Sequence, residues 1–394
     1  MTSSDLAQQI QNIVNQNVSG HMAMAVYVVS PSLSLAGQFF SPSIDNFTIW
    51  NANHEAVSAS DIPELQFEIA SISKVFASRI FYQLQGSYDG TIGTCAPNLA
   101  LPAAISQLPI SSIGAYCSGL PQDNGSPPDP RGVFCPVTAQ QNLQTLVDWF
   151  ASPDYENKST WICNPGACYS YSNLAWNLLA IAGLSPADTS VDVASLYNTQ
   201  LGKLCGTLNM PNTQLFSQSL VGSNMACGYA NGQPLPVNGK GYGIPPMIFG
   251  SGGIVSCASD MLQWLLYNMG QLSASSSDFG LLMAEQTATA PQPKCGYTGK
   301  CGTHEQDGPM TAFGWMLPTV GGGSAGSVLA KDGGLLGFTS WMGFEQWSSL
   351  ESPSQNGVVV LKAGQNASQI GQSIMALLVG ASDVGPLPSG DVVA

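Results

Sequence analysis

Charged side chains are scarce in this sequence. Only 9% of its 394 residues are Asp, Glu, Lys or Arg, whereas about a quarter is usual in globular proteins. Lys and Arg number 10 against 24 acids, so the formal charge is −14, and the basic residues form no cluster. Because a negative field repels phosphate groups, the composition argues against nucleic acid and an anionic membrane surface as partners.

Long hydrophobic runs, a visible secretory leader and internal repeats are also missing. The longest apolar stretch, residues 174–184, is shorter than the roughly 20 residues that cross a bilayer. The first residues, Met1-Thr2-Ser3-Ser4, run straight into a polar amphipathic segment rather than an apolar leader. Hydrophobic residues still make up 44% of the chain, and its length favours two subdomains or one domain with a large insertion.

Histidine is rare, and the cysteines lack metal-binding spacing. His21, His54 and His304 are scattered and no Cys-x-x-Cys occurs, although zinc sites need closely spaced Cys or His pairs. An even count of ten cysteines is instead typical of disulfide-bonded proteins from oxidising compartments. We therefore expect structural disulfides rather than metal, in a secreted or extracellular protein whose leader has been removed.

Two cysteine pairs are close enough in sequence for local disulfides, while the remaining pairing stays open. These pairs are Cys163 with Cys168 and Cys295 with Cys301. Passage through a glycosylating compartment would also use Asn-x-Ser/Thr sequons. Five such sequons occur, at Asn17, Asn46, Asn124, Asn157 and Asn366.

Hydrophobic periodicity predicts strands at both ends of the chain. Leu6, Ile10, Ile13 and Val14 share one helical face, which indicates an opening amphipathic helix. Residues 22–30 are predicted to be a buried strand, with residues 34–40 and 47–50 as its hairpin partners. Three further strands are predicted at residues 327–331, 337–344 and 357–361, followed by a helix that carries Ile370, Ile374, Leu377 and Leu378 on one side.

The order of these elements predicts an α/β (α+β) fold in which both chain ends contribute to one sheet. Residues 1–75 and 246–394 would form the sheet-containing subdomain. Residues 76–245 would form an inserted, mainly helical subdomain that carries most of the Pro-rich and Gly-rich loops. We expect the active site between the two.

The first motif that could carry chemistry is Ser71-Ile72-Ser73-Lys74. Apolar residues recur at helical spacing after it, so Ser71 is predicted at a helix start, where free N–H groups and the helix dipole favour an alkoxide. Lys74 shares its face one turn on, and a lysine in an apolar pocket can accept the serine proton. The plain alternative is a helix-capping serine beside a lysine that reaches solvent.

The second motif is Tyr171-Ser172-Asn173. Tyr-x-Asn also occurs at residues 155–157 and 229–231, but only the copy at 171 opens an apolar helix, with Leu174 and Leu178. Such a helix would hold both polar side chains rigidly. The alternative is a tyrosine packed in the core with Asn173 as a helix cap.

The third motif is Lys331-Asp332-Gly333-Gly334. Lys-x-Gly recurs at residues 294, 300 and 362, but only the copy at 331 lies between two predicted strands. A cation at a sheet edge, beside glycines that let a substrate backbone approach, suits an acyl-group binding site. The alternative is an ordinary hairpin turn.

Together, these motifs resemble those of the penicillin-recognising serine hydrolases in order, spacing and setting. More narrowly, the chain resembles the class C β-lactamase-like branch, which includes family VIII esterases, D-aminopeptidases and D,D-peptidases. Tyr171, where class A enzymes have serine, indicates that branch. Residues 249–264 are similar to its Gly-Gly…Asp segment, and residues 20–29 to its first strand. The resemblance spans about residues 10–380 and implies a β-lactamase/transpeptidase-like fold.

The resemblance also implies roles for the motif residues. Ser71 would attack a carbonyl carbon to form an acyl-enzyme, and Lys74 and Tyr171 would share the general-base and general-acid work. Asn173 would hold the acyl-chain amide or Lys74. No metal or organic cofactor is implied.

The third motif would bind the substrate. The resemblance implies that the backbone N–H groups of Ser71 and Gly334 form an oxyanion hole, with Gly333 beside it. Lys331 would keep positive potential near Tyr171 and could pair with a substrate carboxylate. Asp332 departs from the family pattern, which has a hydroxyl residue there.

An acid at position 332 would repel a substrate carboxylate or neutralise the adjacent lysine. We therefore expect a carboxylesterase or D-amino-acid peptidase acting on a small ester, amide or D-peptide. β-Lactamase or acyltransferase activity at the same site is the alternative, and a catalytically inactive secreted binding protein of the same fold is another.

A different hydrolase class is rejected. Residues 322–326 fit the Gly-x-Ser-x-Gly elbow of α/β-hydrolases, with Ser324 at its centre. That fold needs a histidine after the serine, and the last histidine of this chain is His304.

Overall fold

The computed structural model of the chain describes residues 2–44, 47–122, 143–151, 161–237, 241–243, 248–272, 276–289, 310–322, 327–347, 349 and 351–387. The strands are β1 (Met24–Ser30), β2 (Ser34–Phe40), β3 (Gln66–Glu68), β4 (Gln214–Leu215), β5 (Tyr229–Ala230), β6 (Gln233–Pro234), β7 (Ile254–Cys257), β8 (Met310–Thr311), β9 (Met316–Leu317), β10 (Val328–Leu335), β11 (Phe338–Glu345) and β12 (Gly357–Ala363).

The helices lie largely between the first and last strands. They are α1 (Ser3–Gln16), α2 (Ser73–Gln85), α3 (Ile92–Cys95), α4 (Ala103–Ser106), α5 (Ile110–Gly114), α6 (Leu143–Phe150), α7 (Asn173–Leu184), α8 (Val193–Thr207), α9 (Ala258–Asn268), α10 (Ser276–Gln286) and α11 (Ala367–Val379). Within the described residues, no helix is long and apolar enough to cross a membrane.

The largest sheet is antiparallel and draws on both ends of the chain. Its strand order is β2-β1-β12-β11-β10-β9-β8, so the N-terminal hairpin pairs with the last strand, with Val26 opposite Val360. This confirms the sheet that the sequence predicted. A smaller sheet has the strand order β3-β7-β4. Its strand β3 is followed by a short turn and then by α2.

The two faces of the large sheet carry different layers. Ser340 and Trp341 are neighbours in β11, so their side chains point to opposite faces. On one face, Ser340 Oγ donates to the Ile69 carbonyl over 2.8 Å, at the turn before α2. On the other, Trp341 packs against Gly371 of α11, and α1 packs beside α11. The sheet therefore separates the terminal helices from the turn that carries Ser71.

Most predicted elements are confirmed. The opening helix buries Leu6, Ile10 and Val14 and begins at a capping box of Thr2 and Asp5. The strands of both ends form, and the final helix spans Ala367–Val379.

One strand prediction is wrong, and another ends the strand too early. Residues 47–50 form no strand: only Trp50 makes an isolated bridge, to Ala56, because the chain turns back there through His54 in the left-handed conformation at φ 62°. The strand predicted at residues 327–331 runs on to Leu335, since its glycines pair fully with β11.

The disulfide prediction is confirmed for Cys163–Cys168, while Cys295 and Cys301 lie outside the described residues. The described cysteines without a disulfide are all buried, namely Cys95, Cys117, Cys205, Cys227 and Cys257. Among the sequons, Asn46, Asn124 and Asn157 lie outside the described residues, as do His304 and Ser324. Asn366 is exposed in the turn before α11.

Candidate active site

Ser71 lies in a 3-10 turn, Ala70–Ile72, between β3 and α2. Ala70 adopts the left-handed conformation, with φ 48°, which costs about 1–2 kcal/mol in a residue with a side chain. Tertiary bonds enforce this turn: the Ile69 N–H donates to Ile254 O and its carbonyl accepts from Ser340. Backbone strain of this kind clusters at functional sites. The turn leaves Ser71 partly exposed at the head of a buried helix.

Lys74 is fully buried, and its side-chain nitrogen lies within hydrogen-bonding distance of three neutral oxygens. These are Ser71 Oγ at 2.9 Å, Asn173 Oδ1 at 2.8 Å and the Ser251 carbonyl at 2.8 Å. The amine is thus fixed in hydrogen-bonding reach of the Ser71 hydroxyl.

Tyr171 completes the contacts of that hydroxyl. Its phenol donates to Ser71 Oγ over 2.7 Å. Two cations flank the ring, with Lys74 Nζ 4.7 Å and Lys331 Nζ 5.6 Å from its centroid. Nearby positive charge stabilises negative charge on an acidic group, so this setting suits a phenol that exchanges a proton with the serine.

The start of α7 holds Asn173 beside Lys74. Ser172 is the N-cap, and its side chain accepts the Ala175 N–H over 3.0 Å. With the cap supplied by Ser172, Asn173 is released from that role, and its amide oxygen binds Lys74. The capping alternative for Asn173 is therefore wrong.

Tyr116 supports Tyr171 from behind. The two rings stack with centroids 5.6 Å apart and planes 14° from parallel. Tyr116 is fully buried, has φ 55°, and its hydroxyl donates to Gly314 O over 2.7 Å. Nothing in the local sequence around residue 116 distinguishes it from a core tyrosine, so sequence reasoning missed it.

Strand β10 approaches the Ser71 turn closely. A side chain at Gly333 would collide with the Ile69 carbonyl and lie 2.9 Å from Ser71 N, so only glycine permits this approach. Gly334, the next residue, pairs with Thr339 of β11. The hairpin-turn alternative for this motif is wrong, because all four of its residues lie within the strand.

Lys331 is buried next to the site. Burial alone would lower the pKa of Lys331, but Tyr171 and Asp332 outweigh it and raise that pKa above its usual range. Lys331 Nζ donates to Asp332 Oδ1 over 2.9 Å and to the Asp332 carbonyl over 2.7 Å. The cation is thus already paired inside the protein.

The structure therefore brings four predicted residues into direct contact: Ser71, Lys74, Tyr171 and Asn173. Lys331 joins them across the Tyr171 ring. Ser251 was missed although it lies in the segment singled out by resemblance, because it acts through its carbonyl, which any residue type provides. Ser340 carries no local signal at all.

The arrangement can support nucleophilic chemistry at a carbonyl or similar electrophile. A hydroxyl with an amine and a phenol in hydrogen-bonding reach is the pattern of an activated nucleophile. Among the described residues, no cluster of three or more His, Cys, Asp or Glu side chains could hold a metal ion.

Comparisons with known proteins agree with this geometry. A family model described as Beta-lactamase matches residues 57–369. Similar solved structures include a class C beta lactamase, with TM-score 0.67, 16% identity, and 96% of this chain and 99% of that chain covered. A beta-lactamase/D-alanine carboxypeptidase from Pseudomonas syringae has TM-score 0.64 and 19% identity, covering 96% and 99%.

A D-alanine carboxypeptidase from Burkholderia cenocepacia has TM-score 0.63 and 17% identity, with 96% of this chain and 99% of that chain covered. At such identities these likenesses concern the fold. A search of curated protein sequences finds no match.

Proposed function

This chain belongs to the Beta-lactamase family of serine hydrolases, and we propose that it cleaves ester or amide bonds through an acyl-enzyme on Ser71. One observation carries the proposal: Ser71 Oγ lies 2.9 Å from the amine of Lys74 and 2.7 Å from the phenol of Tyr171. A nucleophilic serine needs such a neighbouring base within hydrogen-bonding reach.

In the first step, Ser71 Oγ bonds to the substrate carbonyl carbon and its proton passes to Lys74 or Tyr171, whichever is deprotonated. The carbonyl π pair moves to oxygen, which gives a tetrahedral anion. This anion collapses as the bond to the leaving alcohol or amine breaks and the stored proton passes to that group. Water then attacks the acyl carbon and gives a proton to the same base. The second tetrahedral anion breaks its bond to Ser71 Oγ, which takes that proton back, and the carboxylic acid leaves.

The tetrahedral oxyanion would be bound by the backbone N–H groups of Ser71 and Gly334. Gly333 packs closely against the Ser71 turn. This supports an oxyanion site with one N–H from the turn and one from β10. A preorganised donor of this kind contributes about 3–4 kcal/mol to the transition state.

We propose that the site lies between two subdomains, residues 1–75 with 246–394 and residues 76–245. In support, Ser71 follows a strand of the first segment, while Tyr171 and Asn173 come from the second. Lys331 returns from the first segment on β10.

We also propose that the protein is exported and glycosylated. The disulfide Cys163–Cys168 suits an oxidising compartment, and the sequon at Asn366 begins with an exposed side chain. Treatment of the natively expressed protein with an N-glycosidase should lower its apparent mass, and Asn366→Gln should remove part of that shift. An unchanged mass would count against glycosylation.

A fluorophosphonate probe tests the nucleophile directly. The intact protein should gain one probe mass, and Ser71→Ala should gain none. Ser73→Ala is the matched control: Ser73 is buried two residues away, and its hydroxyl accepts the Ile254 N–H. Failure of the folded wild-type protein to label would favour a binding protein of the same fold.

A parallel screen separates the substrate classes. p-Nitrophenyl esters, a D-amino-acid anilide and a chromogenic cephalosporin would be compared under identical conditions, with Ser71→Ala as the blank. We expect ester turnover. Turnover of the cephalosporin alone would replace the esterase proposal with β-lactamase activity.

A further inference from the structure

Asp332 already pairs with Lys331, the cation that an anionic substrate group would otherwise meet beside Tyr171. Its carboxylate Oδ1 lies 2.9 Å from Lys331 Nζ, at the bonding distance of a charge-assisted pair. The second oxygen, Oδ2, accepts from Ser368 Oγ of α11 over 3.4 Å. Held at both oxygens, the carboxylate is kept beside the lysine rather than turned out to solvent.

The pair is also shielded from water. Only 1% of the Lys331 side chain and 13% of the Asp332 side chain are exposed. Charges in such surroundings interact more strongly and are screened less by salt than charges on an open surface. A carboxylate that approached Lys331 would therefore meet the full repulsion of Asp332 at nearly the same distance.

The net charge of the whole chain, formally −14, also repels a substrate carboxylate. An incoming ammonium group would meet the Lys331 cation, which already pairs with Asp332. An uncharged substrate meets neither penalty.

We propose that Asp332 is a specificity-determining residue that excludes substrates with a carboxylate beside the scissile bond and so confines the enzyme to neutral esters and amides. This inference rests on the proposed hydrolysis through Ser71. It separates the chain from similar folds such as the class C beta-lactamase in complex with cefoxitin, a compound that carries a carboxylate.

The test compares two esters that differ in one charge, 3-acetoxybenzoate and its methyl ester. The measured quantity is the ratio of their kcat/KM values, anionic over neutral, for wild type and for Asp332→Asn. The difference in intrinsic reactivity of the two esters cancels when the ratios are compared between variants. Removing one charge at this range should raise the ratio about 10- to 100-fold.

Asp188→Asn is the matched control, because it removes the same charge from an exposed carboxylate that bonds to Ser190. It should leave the ratio unchanged. A second variant covers the case in which Asp332→Asn does not fold: Asp332→Ser also removes the charge and should raise the ratio in the same way.

The outcomes are separable. A ratio that is equal in wild type and in the folded charge-removing variants overturns the inference and leaves hydrolysis at Ser71 standing. Turnover of both esters that survives in Ser71→Ala instead overturns the proposed function.

Discussion

Two lysines of the large sheet are both buried, but their pKa values shift in opposite directions. Lys331 of β10 bonds to Asp332, and its pKa is raised despite burial. Lys362 of β12 makes no ion pair within the described residues and donates to its neighbour's carbonyl, that of Ala363, over 3.3 Å. Burial lowers the pKa of Lys362 to about 8. The neighbouring groups Tyr171 and Asp332, and not the depth of burial, therefore decide in which direction the pKa of each lysine shifts.

Glu68 resembles Lys362, because burial shifts the pKa of each toward its uncharged form. It precedes the Ser71 turn, is buried, and accepts from the Gly243 N–H. Burial raises the pKa of Glu68 to about 8, and the bond from Gly243 lowers it only in part. The site thus retains charge at Lys331, while Glu68, which has no cation beside it among the described residues, stays protonated at neutral pH.

Substitution of the two lysines should give the largest contrast. Lys331→Met removes the cation beside Tyr171 and leaves Asp332 unpaired, so the second-order rate of fluorophosphonate labelling should fall about 100- to 1,000-fold. Lys362→Met should label at close to the wild-type rate, because Lys362 lies opposite Thr339 and Met24, away from Ser71. An equal loss of labelling rate in both variants would show that the two lysines do not differ in their effect on Ser71.

Glu68→Gln should change how the free energy of unfolding depends on pH. The folded pKa of Glu68 lies above its unfolded value, so its contribution is fully present below about pH 4.5 and is lost as pH rises toward 8. Between pH 5 and pH 8 that loss is up to about 4 kcal/mol, and glutamine should abolish it. Urea unfolding at several pH values measures this; parallel wild-type and variant curves would contradict it.

Lys362→Met should show the opposite sign. The folded pKa of Lys362 lies below its unfolded value, so the lysine destabilises the folded protein at neutral pH, and that cost disappears as pH rises from 8 to about 10.5. The variant should be more stable than wild type by up to about 3 kcal/mol at pH 7, with the difference closing at high pH. A variant less stable at pH 7 would indicate that Lys362 has a partner in solution.

Tyr116→Phe should show how much stability is lost when an uncharged buried group loses one hydrogen bond. It removes the hydrogen bond to Gly314 O but keeps the ring that stacks on Tyr171. The free energy of unfolding should fall by about 1 kcal/mol, independently of pH, as urea unfolding would measure. A pH-dependent change would mean that the hydroxyl takes part in the ionisation of the site.

Much of the candidate site was predictable because its chemistry is local in sequence. Ser71 and Lys74 are one helical turn apart, so helical periodicity alone placed them together. Tyr171 was distinguished from other Tyr-x-Asn copies by the apolar helix that follows it. The strand at residues 47–50 failed because a left-handed turn at His54 overrides the β-propensity of the segment.

The residues that polarise and orient these groups were harder to predict from the sequence. The sequence alone does not show whether the side chain of Asp332 points to solvent. In the structure it pairs with Lys331 and also contacts Ser368 of α11. Tyr116 and the Ser251 carbonyl meet the site from distant parts of the chain.

By itself, the sequence determined the reactive groups, the sheet built from both chain ends and the acid that follows Lys331. Only the tertiary structure decided which buried group has a counterion, because ion pairs and desolvation depend on distances between segments that the chain order does not specify. Hence Lys331 and Lys362, which each begin a Lys-x-Gly sequence, have pKa values that shift in opposite directions in the folded protein.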